Sequence, residues 1–128
     1  MQKTKNILDI LVEKNITTVN AGYRTYQLNI KKGLKDSGVK CYGTCDFDEG
    51  VISLEKTMAH ETARETLFHE LTHLALEICS LGGDEETGIV PSKSNEEITT
   101  LISRAFLLLM TLNPELFEVL NEKPSGQH

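Results

Sequence analysis

The chain has 128 residues and a mass of 14.3 kDa, enough for one sizeable hydrophobic core and not for two. With 39% hydrophobic and 25% charged residues, its composition is that of a globular domain rather than a disordered or fibrous chain. Thirteen lysines and arginines against nineteen aspartates and glutamates leave a net charge of -6, which argues against non-specific binding to nucleic-acid phosphates; the longest strictly apolar run, residues 105–110, is far short of the ~20 residues that span a membrane.

Residues 1–14 mix charge into their apolar stretch and lack the continuous apolar core of a secretory signal, so the expected setting is soluble and cytoplasmic. Residues 7–12 are an apolar cluster that fits a short helix or a strand. Residues 16–19 and 23–30 are rich in β-branched and aromatic side chains around a turn at Asn20, Ala21 and Gly22, which predicts a hairpin. Residues 31–38 read as a loop, and a second hairpin follows, with residues 39–47 and 51–54 flanking a turn that ends in Gly50. Cys41, Cys45 and Cys79 are odd in number and too few for a closed four-thiolate site, so they are expected as buried, reduced thiols.

Thr57 is placed to cap the next element. Residues 58–80 lack Gly and Pro and are dense in Ala, Glu and Leu, which predicts a long helix. A flexible acidic loop at residues 81–88 separates it from a last helix over residues 94–111, stopped by Asn113-Pro114, with a short terminal helix at 115–120. The expected fold is α+β: one domain over residues 1–120, a small antiparallel sheet packed on two principal helices, and a frayed tail at 121–128.

Within the long helix stands His69-Glu70-Leu71-Thr72-His73, the pattern H-E-x-x-H. At 100° per residue, positions i and i+4 are neighbours on one face, so both imidazoles can reach one ion. Zinc accepts neutral imidazole nitrogens, and a glutamate beside it is placed to take a proton from water that the metal acidifies. Ala63, Leu67, Leu71, Leu74 and Ile78 make a core stripe, while His69 and His73 project from nearly the opposite side. A pair of core histidines would sit inside that stripe.

Catalytic zinc usually has three protein ligands. His60 is about half a turn out of phase with His69 on the same helix, so it cannot join them. Glu96 and Glu97, 23 and 24 residues past His73, are the candidates for the third position. Glu97 borders the apolar stripe of Ile98, Leu101, Ile102, Ala105 and Leu109, and Glu96 points further towards solvent, so Glu97 is preferred. Ser94-Asn95-Glu96-Glu97 is also a capping box, which accounts for Glu97 without any metal. Tyr42, Tyr26, Tyr23 and His60 are the available oxyanion donors, and none stands out.

These pieces, taken in order, carry a resemblance. The hairpin over residues 41–54, the helix segment Glu65-Thr-Leu-Phe-His-Glu-Leu-Thr-His-Leu74, the acidic loop and the run from Asn95 to Pro114 resemble the short zinc-dependent peptidase-like proteins of phages and mobile elements. Those proteins are related to the ImmA/IrrE group and to minimal gluzincins. The resemblance implies a zincin-like fold, Zn2+ held by His69, His73 and Glu97, and Glu70 as the base. It also implies that the strand before the metal helix, Val51, Ile52, Ser53 and Leu54, pairs with an extended peptide. The implied activity is hydrolysis of a peptide or protein substrate, with no nucleic-acid or membrane partner. Two alternatives stand beside it: a zinc-binding regulatory module that does not cleave, and a structural α+β domain whose histidines are incidental.

Overall fold

The computed structural model describes residues 6–79 and 94–122. The expected acidic loop at 81–88 and the end of the tail lie outside the described residues.

Asn6 decides the first element. Its side-chain oxygen accepts from the amides of Leu8 and Asp9 at 2.9 and 3.2 Å, and Asp9 accepts from the Asn6 amide at 3.1 Å. This reciprocal cap starts helix α1, Ile7–Glu13, and resolves the ambiguity of that segment in favour of a helix. Ile7, Leu8, Ile10 and Leu11 are buried, a helical spacing that a six-residue apolar run states only weakly.

The first hairpin forms as expected, with β1 (Thr18–Asn20) antiparallel to β2 (Thr25–Lys31) and Val19 opposite Tyr26. The expected loop at residues 31–38 contains a further short strand, β3 (Lys35–Asp36), which pairs antiparallel with β4 (Val39–Lys40). The second hairpin joins β5 (Gly43–Asp46) to β6 (Val51–Glu55), with Gly50 at φ 72° in the turn.

The sheet order is β1-β2-β6-β5. The chain leaves β2 and starts β5 one strand position further out; β6 then returns into the gap. It therefore runs parallel to β2, with Gln27 opposite Val51 and Lys31 opposite Glu55. This corrects the purely antiparallel expectation: the two hairpins are local, but the pairing that joins them is not, and strand patterning does not encode it. Being central, β6 buries Ile52, Ser53, Leu54 and Glu55 in succession.

Helix α2, His60–Ile78, lies across β5 and β6. Thr57 does not cap it. The cap position is Ala59, without a side-chain hydrogen bond, because Thr57 is drawn back to Glu55, to which its amide and hydroxyl donate at 3.1 and 2.9 Å. Ala63, Leu67, Leu71, Leu74 and Ala75 bury the inner face of α2 against α1 and the sheet. Truncating Leu67 or Leu71, both fully buried, to Ala would cost about 2–5 kcal/mol.

Helix α3, Asn95–Leu112, follows the Ser94 cap, and α4, Pro114–Leu120, begins with proline at its first turn. Asn113 between them locks the helical layer to the sheet. It accepts from the Asn20 amide and donates to the Asn20 carbonyl, both at 2.8 Å, and donates to the Leu109 carbonyl at 2.9 Å. Among the described residues no helix is long and apolar enough to cross a membrane.

Candidate metal centre

His69 and His73 stand on the exposed side of α2, one turn apart, as the helical spacing requires. Their Nε2 atoms are 3.1 Å apart and their rings meet edge to face at 76°, with centroids 4.7 Å apart. Two nitrogens each bound at 2.0–2.1 Å to one tetrahedral ion lie about 3.3 Å from each other. Here the two nitrogens share a hydrogen bond at close to that spacing, so a shared zinc ion would replace the bond without moving the helix. No third His, Cys, Asp or Glu joins them among the described residues.

Glu70 lies about 100° round the helix from His69, in the seam between α2 and β5, and is only 5% exposed. Gly43 makes that position possible. A Cβ there would fall 3.0 Å from Glu70 Oε2 and 2.7 Å from Thr66 Cγ2, so any side chain on β5 at this point would collide with α2. No protein donor among the described residues hydrogen-bonds the Glu70 carboxylate. Burial pushes its pKa up, and the neighbouring His73 and His69 partly offset that rise. A carboxylate with a raised pKa and no protein donor is suited to taking up a proton from a group bound in front of it.

That space is a cleft of about 690 Å³, lined by Gly43, Thr44, Cys45 and Asp46 of β5, by His69, Glu70 and His73, and by Lys35 and Asp36 at one end and Asp48 at the other. The Cys45 thiol is pushed up to about 12 by burial and by Glu70, Glu77 and Asp46, so it stays protonated rather than serving as a thiolate nucleophile. Cys41, Cys45 and Cys79 are all free and half-buried, close to the expectation of reduced, buried thiols. Behind the histidines lies a second, apolar groove, where Phe68 stacks on Phe106 at 5.3 Å beside Met110, Phe117 and Leu120. His69 and His73 form the ridge between a polar cleft and this groove.

Of the residues singled out in the sequence, the structure brings His69, Glu70 and His73 together. Glu97 is placed elsewhere. Its Oε1 accepts from the Ser94 hydroxyl at 3.2 Å, and its amide donates to that hydroxyl at 3.1 Å, so it sits in the capping box on an exposed helix end. Glu96 is exposed beside it. Phe106 of α3, which stacks on Phe68 of the histidine helix, is nine positions and about 13 Å along the axis from Glu97.

Val51, Ile52, Ser53 and Leu54 are not available for strand addition. They belong to β6, whose two edges are taken by β2 and β5. Among the described residues the strand with an unpaired edge beside the histidines is β5; its signal in the sequence is Gly43, an isolated glycine inside a strand pattern. Tyr23 and Tyr26 share a 2.7 Å hydrogen bond and serve the fold, and His60 accepts from the Ile7 amide at 3.2 Å. Compared with family models, curated proteins and solved structures, the chain finds no match.

Proposed function

We propose that the chain is a zinc-dependent peptidase of the zincin type, acting in the cleft between α2 and β5. The observation that carries this reading is the convergence of the two Nε2 atoms, 3.1 Å apart, next to a buried glutamate that opens on the same cleft. His69 and His73 are the metal ligands. Zinc bound there would supply Lewis acidity, polarising a carbonyl and acidifying water. Glu70 takes the proton of the attacking water and delivers it to the leaving amine, as its raised pKa suits. The unpaired edge of β5 holds the substrate backbone extended across the cleft, replacing the expected role of β6.

Glu97 is the proposed third ligand. Reaching the ion requires it to leave Ser94 and the first turns of α3 to move towards the histidines; the loss of such an exposed cap alone costs about 1 kcal/mol. A second reading, a zinc-binding module that docks without cleaving, is favoured by the fact that only two ligands converge among the described residues.

Two measurements decide between these. Zinc titration of metal-free protein should show one equivalent bound, lost in His69→Ala and in His73→Ala; no uptake by the unaltered chain would end both readings. A peptide library should be cut by the zinc-loaded chain and not by Glu70→Gln. Zinc uptake without any cleavage selects the second reading.

A further inference from the structure

Positive charge in this acidic chain is concentrated at one end of the cleft. Lys31, Lys32, Lys35 and Lys40 fall within ten residues, and Lys56 joins them where its amide donates to the Lys31 carbonyl at 2.8 Å. All five side chains are exposed, and none forms an ion pair among the described residues. Two carboxylates, Asp36 and Glu55, lie in the same neighbourhood. Glu55, in register with Lys31, is already committed to the Leu34 amide and to Thr57.

The β3–β4 ribbon makes the imbalance sharper. Lys35 and Lys40 are direct cross-strand partners, and like charges set opposite each other destabilise a pair of strands. Asp36, the one carboxylate of the ribbon, forms no ion pair with either lysine among the described residues, and an anionic ligand would relieve the repulsion.

The ribbon leads straight into the cleft. Lys35 lines it together with His69, Glu70 and His73, while Lys32 and Lys40 line the adjoining hollow beside Cys41 and Tyr42. At the far end of β5 the sign reverses, with Asp46 and Asp48 in the cleft and Glu49 in the turn. Within the cleft Asp36 offsets Lys35, so the positive excess lies on Lys32 and Lys40 in the adjoining hollow and the negative excess on Asp46, Asp48 and Glu49.

We propose that the β3–β4 ribbon is a docking site for an acidic polypeptide segment, whose Asp and Glu residues seat on Lys32, Lys35 and Lys40 while the adjoining backbone enters along β5. A polypeptide fits better than a nucleic acid: a continuous polyanion running through the cleft would be carried past Asp46, Asp48 and Glu49, whereas a peptide can confine its negative charge to one side. That the docked segment is then hydrolysed rests on the peptidase reading above; the docking does not.

The experiment measures fluorescence anisotropy of a labelled synthetic peptide, with a run of glutamates at one end and a neutral segment at the other, against the full zinc-loaded chain and its Glu70→Gln variant. The glutamate peptide should bind more tightly than its glutamine counterpart, and Lys40→Glu should weaken it by about tenfold. Binding should also fall steeply as salt rises from about 0.05 M to about 0.5 M. Lys40→Glu replaces a repulsive cross-strand pair by an attractive one, so lost binding does not reflect lost folding. Equal binding of the glutamine peptide, indifference to Lys40→Glu, or equally effective competition by a single-stranded oligonucleotide would overturn the proposal. Docking without cleavage would retain it and remove the peptidase reading; cleavage that glutamates do not improve would do the reverse.

Discussion

Glu55 and Glu70 are the two carboxylates buried among the described residues, and they live in opposite surroundings. At the end of β6, Glu55 accepts from the Leu34 amide at 2.8 Å and from the Thr57 amide and hydroxyl at 3.1 and 2.9 Å. Those backbone donors hold its pKa below the usual carboxylate range. In the middle of α2, Glu70 has no protein donor, and burial raises its pKa. A buried charge whose acceptor positions are filled ties the chain together. One left with its acceptor positions open works against stability and is retained where chemistry needs it. On the proposed function, the contrast separates a structural carboxylate from a chemical one within a single small fold.

Replacing the chemical one should have the largest effect. Glu70→Gln is expected to lower cleavage by about 10²–10⁴-fold while zinc uptake stays intact, measured with the peptides that the unaltered chain cuts. Its effect on stability should have the opposite sign. A carboxyl with a raised native pKa lends stability only while protonated, and that stability is lost as pH rises, so metal-free Glu70→Gln should gain in relative stability above the usual carboxylate range. A variant that unfolds more readily at neutral pH than the parent would show that Glu70 is structural after all.

Gly43→Ala attacks the same carboxylate from the facing strand. The new methyl would meet Thr66 Cγ2 at 2.7 Å and Glu70 Oε2 at 3.0 Å, so α2 and β5 must part; a loss of about 1–3 kcal/mol in denaturant unfolding is expected, together with reduced cleavage. Glu55→Gln should leave zinc binding unchanged and lower the unfolding midpoint at neutral pH. Because the native pKa of Glu55 is depressed, the stability it lends is present above its unfolded value and lost as pH falls through the native one, so the gap to the parent should close in acid. A gap that persists at low pH would mean that shape, not charge, holds this corner.

The smallest effect concerns Glu97. Ser94→Ala and Glu97→Ala should each cost about 1 kcal/mol through the shared cap. Only Glu97→Ala should also weaken zinc binding. Equal zinc affinity in the two variants would leave Glu97 as a cap and nothing more.

His69, Glu70 and His73 were legible because helical periodicity is local: four residues apart on an uninterrupted helix means one face, whatever the helix packs against. The capping box at Ser94 follows the same logic, since it involves side chains within a few positions of the backbone they satisfy. Thr57 shows its limit. A sound local cap lost its hydroxyl to Glu55, whose position is set by a strand pairing with residues more than twenty positions earlier.

What the sequence determined by itself is therefore the two hairpins, the two long helices and the histidine-bearing face of α2. The parallel insertion of β6 between β2 and β5, the resulting free edge on β5, the Gly43 seat for Glu70 and the approach of the lysine ribbon to the cleft were decided only by tertiary structure. Each depends on which strand edge meets which. Side-chain alternation specifies the two faces of a strand but not its two edges, so pairing is settled only when the whole core closes.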